Sequence, residues 1–105
     1  MKVIRYEKLV RDLIPEIISS SGKEAVIKTV KGIELVDYLN SKLSEELTEY
    51  LESGDVEELA DLLEVVHAIL SHKGISMGEL EDMRREKRAA RGGFERGIIL
   101  LEVRE

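Results

Sequence analysis

Residues 45–61 of this chain read EELTEYLESGDVEELAD, and this stretch decides the fold. On both sides of the Ser53-Gly54 pair, apolar residues recur every three or four positions, which is the period of an amphipathic helix. A serine–glycine pair is typical of a helix end. Because the connection is so short, the two helices that it joins are expected to be antiparallel neighbours.

The first of these helices, predicted over residues 33–52, has acidic side chains on its apolar face. At about 100° per residue, one stripe of this helix is apolar, and it comprises Leu35, Leu39, Leu43, Leu47 and Tyr50. Glu46 falls inside that stripe, and Glu49 lies at its edge. An unpaired carboxylate on a core-facing surface is costly and needs a compensating charge.

The second helix, predicted from the cap residue Asp55 to residue 73, repeats the pattern. Its broad apolar arc comprises Leu59, Leu62, Leu63, Val65, Val66, Ile69 and Leu70. Glu58 falls within the arc and Asp61 lies at its border, whereas Glu57 and Glu64 point to the opposite side. The hairpin should therefore bring Glu46 and Glu49 towards Glu58 and Asp61.

Four neighbouring carboxylates repel one another, and a bound divalent cation neutralises that repulsion. Oxygen ligands in this number are typical of Mg²⁺ or Mn²⁺, which bind carboxylates together with water and phosphate oxygens. The alternative is that these acids are boundary residues of a glutamate-rich chain, paired with Lys42 or a later arginine. Since both motifs fall on inward faces of successive helices, the sequence favours the metal site.

Composition narrows the class of protein. A length of 105 residues predicts a single domain, 1–105. The net charge of −6 argues against a nucleic-acid polymer as partner. The absence of cysteine excludes disulfides and zinc–thiolate sites. Neither a signal peptide nor a run of about 20 apolar residues is visible, so we expect a soluble, cytoplasmic protein without membrane contact.

The rest of the chain adds short elements to the hairpin. A short helix is predicted around Pro15, and Ser76 with Glu79 forms a capping box for a third long helix that ends near Ala90. The β-branched residues of segment 25–30 and the apolar residues of segment 98–103 predict short strands, and segment 2–6 is a further extended candidate. The expected fold is mainly α, an antiparallel hairpin plus a third helix, with a small β appendage.

Basic residues occur in two groups that a phosphate-handling site needs. One stripe of the third helix comprises Arg84, Lys87, Arg88 and Arg91. An ordinary solvated, dipole-compensating role explains that stripe equally well. Lys8 and Arg11 form the second group, among the apolar residues before Pro15.

These motifs together resemble a known family. The paired motifs Glu45-Glu46-Leu47-Thr48-Glu49 and Glu58-Leu59-Ala60-Asp61 are similar to the EExxE and ExxD signature of the MazG-like all-α nucleoside triphosphate pyrophosphohydrolases. The flanking KLVRDLIP of residues 8–15 and RGGF of residues 91–94 resemble a small prokaryotic subgroup of that family. The segment between the motifs, residues 50–57, is shorter than the family usually has.

The resemblance implies Mg²⁺-dependent hydrolysis of a nucleoside triphosphate to a nucleoside monophosphate and pyrophosphate. We expect Glu46, Glu49, Glu58 and Asp61 to bind Mg²⁺ or Mn²⁺ and Glu45 or Glu49 to act as general base. The predicted substrate-binding residues are Lys8, Arg11, Lys87 and Arg91.

Two alternatives to this function stay open. One is a phosphoribosyl-ATP pyrophosphohydrolase, because that family shares the paired acidic motif. The other is a non-catalytic helical module whose acids bind a basic partner. In either case, the wide apolar arc of the second helix predicts a homodimer or higher homo-oligomer, since one hairpin and one further helix cover only part of it.

Overall fold

A computed structural model describes residues 2–105 and shows a mainly helical chain, as predicted. The four helices are α1 (Ile14–Ser20), α2 (Gly32–Ser53), α3 (Val56–Lys73) and α4 (Met77–Arg91). The bounds of the three long helices lie within one or two residues of those expected from the sequence.

The antiparallel hairpin of α2 and α3 is the packed unit of the structure. Gly54 ends α2 in the left-handed conformation, with φ of +69°, and its N–H donates a 2.8 Å hydrogen bond to the Tyr50 carbonyl. Glycine adopts this conformation without the strain that a Cβ atom brings. The buried apolar side chains are Leu39 of α2 with Val65 and Leu70 of α3. The core therefore lies along the seam between these two helices.

The other two helices begin as their sequences predict. Pro15 lies in the first turn of α1, where its missing N–H loses no helical hydrogen bond. At the start of α4, the Ser76 hydroxyl accepts a 3.1 Å hydrogen bond from the Glu79 N–H. This is one half of the predicted capping box.

The predicted β appendage is wrong for the part of the chain that the structure describes. Segments 2–6, 25–30 and 98–103 form neither helix nor strand. Most of their apolar side chains are exposed to solvent, with Val26 90% and Leu101 88% exposed. A strand is stable only when a neighbour accepts its backbone hydrogen bonds and covers one face. None of these segments has such a neighbour within residues 2–105.

Two finer expectations are also wrong. The Asp55 side chain does not cap α3; instead, the Asp55 N–H donates to the Ser53 hydroxyl at 3.1 Å. Leu47, assigned to the inward stripe of α2, is 48% exposed. Glu46 is the buried residue at that level of the helix.

The molecule is long and exposes much of its surface. Its dimensions are 67 × 32 × 24 Å and its radius of gyration is 18.8 Å, whereas a compact domain of this length is expected near about 13 Å. Between residues 2 and 105, no helix is both long and apolar enough to cross a membrane.

Candidate metal centre

The turn of the hairpin places both acidic motifs at one end of the α2–α3 seam. Glu46 lies two turns before the end of α2 and faces α3. Glu58 and Asp61 lie in the first two turns of α3 and face α2, and each is partly buried. Because only Gly54 and Asp55 connect the helices, the two sets of carboxylates are brought to the same level of the seam.

Five carboxylates form two overlapping groups in which Glu46 is common to both. Oxygen atoms of Glu46, Glu58 and Asp61 all lie within 4.8 Å of one another, and so do those of Glu45, Glu46 and Glu49. The first group spans both helices and the second belongs to α2 alone. The structure thus brings together the four predicted metal ligands around Glu46.

Glu46 distinguishes this cluster from ordinary surface acids. Its side chain is 7% exposed, and its Oε2 atom is buried without a hydrogen-bond partner among the described residues. Burial raises the pKa of the Glu46 carboxyl above its ordinary value, the neighbouring Glu49 carboxyl raises it further, and Lys42 partly offsets the rise. A buried carboxylate oxygen without a partner is rare in folded proteins and requires a compensating cation or proton.

Lys42 is the cation nearest to this buried carboxylate. Its Nζ atom lies 3.4 Å from Oε1 of Glu46 and 3.4 Å from Oε1 of Glu45. The sequence suggested Lys42 only as an ordinary ion-pair partner, although its spacing of three and four residues from the two acids on one helix indicated this contact. One lysine does not neutralise five neighbouring carboxylates, so the cluster keeps an excess of negative charge.

Two further cations reach the cluster from the segment before α1. Lys8 Nζ lies 3.6 Å from Glu45 Oε1, and Arg11 Nη2 donates a 2.7 Å hydrogen bond to Asp61 Oδ1. The structure therefore places Arg11 beside the predicted metal ligand Asp61, and Lys8 beside the predicted general base Glu45.

The basic residues of α4, unlike Lys8 and Arg11, have no ion pair with the acidic cluster in the part of the chain that the structure describes. Lys87 and Arg91 form no ion pair within residues 2–105 and are exposed on the last turns of the helix. Their arginine neighbours pair locally, Arg84 and Arg85 with Glu81 and Arg88 with Glu95. The structure shows no contact of Lys87 or Arg91 with the acidic cluster, and their predicted role stays a prediction.

The possible ligand atoms of the cluster are of the kind that a hard divalent cation prefers. All are carboxylate oxygens, and neither of the two histidines takes part in these groups. Mg²⁺ and Mn²⁺ prefer such ligands, and the orphaned Oε2 of Glu46 supplies an unused lone pair at the centre. The residues present therefore fit a magnesium or manganese ion.

Comparison with known proteins finds no relative. Neither a family model, nor a curated protein, nor a solved structure matches the chain. The resemblance to the MazG-like pyrophosphohydrolases thus depends on the two acidic motifs and their flanking segments.

Proposed function

We propose that this protein is a Mg²⁺-dependent pyrophosphohydrolase that converts a nucleoside triphosphate to a nucleoside monophosphate and pyrophosphate. The observation that supports this function best is the buried, unpartnered carboxylate oxygen of Glu46, shared by both acidic motifs. A cluster of exposed acids is common in proteins. A buried acid at the centre of such a cluster destabilises the chain unless a cation or a proton compensates its charge.

The four ligands in this proposal are Glu46, Glu49, Glu58 and Asp61. When bound there, the metal supplies charge neutralisation of the phosphates and lowers the pKa of a coordinated water. Within residues 2–105, Glu49 has no ion-pair partner, whereas Glu45 contacts both Lys8 and Lys42. Either Glu45 or the carboxylate oxygen of Glu49 that does not bind the metal would accept a proton from the attacking water.

Cationic side chains orient the triphosphate in this proposal. Lys8 and Arg11 already lie beside the carboxylates, and Lys87 and Arg91 provide further positive charge on α4. Guanidinium and ammonium groups that contact the oxygens of the breaking anhydride stabilise the negative charge that develops in the transition state.

The active unit in this proposal is a homodimer. Apolar residues at the tip of the hairpin are 40% or more exposed, and they comprise Leu47, Leu51, Val56, Leu59 and Leu63. We call these five residues the tip patch. Leu47 and Leu59 each follow an inward-facing acid by one position, and in antiparallel helices that step leads to the same side of the pair. The tip patch and the acidic cluster thus lie on opposite sides of the seam.

The exposed area of the chain is large enough for an interface with a second copy. The chain exposes 9680 Å², whereas a compact monomer of its mass is expected to expose about 6,000 Å². The excess is several times the roughly 800 Å² that each partner buries in a standard interface. Symmetric pairing through the tip patch buries apolar area and leaves the acidic side open.

A turnover assay tests the catalytic proposal. Purified protein is incubated with Mg²⁺ and a panel of normal, deoxy and damaged triphosphates, with phosphoribosyl-ATP as a further substrate, and pyrophosphate release is measured. We expect Mg²⁺-dependent pyrophosphate release that Glu58→Gln abolishes. Glu64→Gln removes the same charge from the opposite face of α3 and should leave the rate unchanged.

The outcome of this assay separates the proposal from its alternatives. Turnover confined to phosphoribosyl-ATP would identify that substrate instead of a triphosphate. A protein that uses its acids only to bind a basic partner would release no pyrophosphate from any substrate, and metal would not stabilise it. That result would contradict the proposed function.

A further inference from the structure

The segment before α1 is bound to the hairpin through two ion pairs, one to each acidic motif. Lys8 contacts Glu45 of α2 at 3.6 Å, and Arg11 contacts Asp61 of α3 at 2.7 Å. The segment has no helix or strand of its own before Ile14. Among its apolar residues, Leu9 is partly buried, whereas Val10 and Leu13 are exposed. The two ion pairs are therefore the charged contacts that join this segment to the hairpin.

Arg11 contacts Asp61, a proposed metal ligand, and Lys8 contacts Glu45, which is next to the proposed ligand Glu46 in the chain, so both cations lie beside the proposed metal site. Asp61 Oδ1 accepts its hydrogen bond from Arg11, although Asp61 shares a group with the buried Glu46 and with Glu58. A divalent cation bound to that group repels the guanidinium, and it also competes for the same carboxylate. An arriving polyphosphate has the opposite effect, because it offers the guanidinium new anionic oxygens.

We propose that Lys8 and Arg11 form an exchangeable cationic clasp: they neutralise the acidic cluster in the absence of metal and transfer to phosphate oxygens when metal and polyphosphate bind together. This inference depends on the metal site of the proposed function and adds a coupling to it. Bound metal weakens the attraction between the carboxylates and the two clasp cations. Bound phosphate attracts Lys8 and Arg11 away from the carboxylates. By linkage, each ligand must then strengthen the binding of the other.

The exposure of both pairs makes such an exchange inexpensive. The side chains of Arg11 and Asp61 are 57% and 42% exposed, and those of Lys8 and Glu45 are 47% and 30% exposed. Ion pairs with this much solvent contact contribute little to stability. The pairs are therefore weak enough for a divalent cation to replace them.

Metal binding by clasp variants tests the proposal directly. The probe is Mn²⁺ alone, with affinity measured by calorimetry or by the electron paramagnetic resonance signal of the free ion. Arg11→Gln and Lys8→Gln each remove one competing cation, so we expect Mn²⁺ to bind roughly twofold to fivefold more tightly than to the wild-type protein. The same variants should bind Mg²⁺–tripolyphosphate about tenfold more weakly, because a charged hydrogen bond to phosphate is lost.

Arg104→Gln is the matched control. Arg104 forms an exposed ion pair with Glu102 at 2.6 Å, belongs to neither basic group, and has no ion pair with the acidic cluster within residues 2–105. This variant loses the same charge and the same kind of ion pair. Its affinities for Mn²⁺ and for Mg²⁺–tripolyphosphate should both equal those of the wild-type protein.

Opposite changes for the two ligands in one variant are the signature of the clasp. If the wild-type protein binds Mn²⁺ and both clasp variants bind it equally or more weakly, the clasp is refuted while the metal site stands. If the clasp variants lose affinity for both ligands, Lys8 and Arg11 have a merely structural role. If the wild-type protein binds no Mn²⁺, the proposed function fails and the clasp fails with it.

Discussion

Replacing Glu46 by glutamine should stabilise the metal-free protein and remove its stabilisation by metal. In the metal-free protein, each ionised carboxylate with an oxygen within 4.8 Å of Glu46 repels it by at least about 3.5 kcal/mol at an effective dielectric constant of about 20. Lys42, at 3.4 Å, returns an attraction of about 5 kcal/mol on the same scale. The repulsion removed from Glu58 and Asp61 therefore exceeds the attraction lost with Lys42. We expect the free energy of unfolding of the metal-free protein to increase on the order of 1–2 kcal/mol.

Thermal melting in two buffers measures this effect. In EDTA, Glu46→Gln should melt higher than the wild-type protein, by about 4–8 °C for each kcal/mol in a domain of this size. In millimolar Mg²⁺ the order should reverse, because glutamine offers a neutral oxygen where the ion requires an anionic one. Glu64→Gln, on the opposite face of α3, should melt like the wild-type protein in both buffers.

One result would refute the reasoning. If Glu46→Gln melts lower than the wild-type protein by the same amount in EDTA and in Mg²⁺, Glu46 is a structural acid whose partner is Lys42. The carboxylate cluster would then be compensated by the protein itself, and no cation would be needed.

Three further predictions follow from the same structure. Wild-type protein at about 100 times the dissociation constant of Mg²⁺ should gain roughly 2.7 kcal/mol in free energy of unfolding; equal melting in Na⁺ of matched ionic strength would contradict the metal site. Burial raises the pKa of Glu46 above 4.5, so the folded metal-free protein binds a proton more tightly than the unfolded chain does. Its free energy of unfolding, relative to that of Glu46→Gln, should fall as the pH rises from 4.5 through the raised pKa and then level off; a difference that is flat over this range in chemical denaturation would count against a buried carboxyl. Leu63→Glu, in the tip patch, should shift the mass measured by light scattering from that of a dimer to that of one chain, whereas a wild-type protein that is already monomeric at micromolar concentration with full activity would exclude the dimer.

The hairpin and its acids could be predicted because local rules determine them. A helix-ending glycine, a connection of two residues and a repeat of apolar positions together specify two antiparallel helices. Once the helices are antiparallel neighbours, the positions of Glu46 and Asp61 on their inward sides follow from the helical period. These features need no information from distant parts of the chain.

The errors concern features that depend on partners. Segments 25–30 and 98–103 have the composition of strands, but a strand forms only when another segment completes its ladder of hydrogen bonds. Leu47 belongs to the apolar stripe by its period, yet the seam between two helices is narrower than that stripe. The ion pair of Arg11 with Asp61 joins residues 50 positions apart, so no local pattern specifies it, and the predicted contact of Arg11 with phosphate stays a prediction.

The two sides of the hairpin tip suggest why a chain with so small a core retains so many inward acids. One side exposes the apolar tip patch, and the other gathers the carboxylates around Glu46. In a monomer, neither side stabilises the fold, because the tip patch is exposed to water and the carboxylates repel one another. In the proposed function, metal binding would make the acidic side stabilising, and pairing would do the same for the apolar side. Because both changes act on the same two helices, each should stabilise the hairpin on which the other depends. A folded hairpin presented by the dimer should therefore bind metal more tightly than one forced into a monomer by Leu63→Glu.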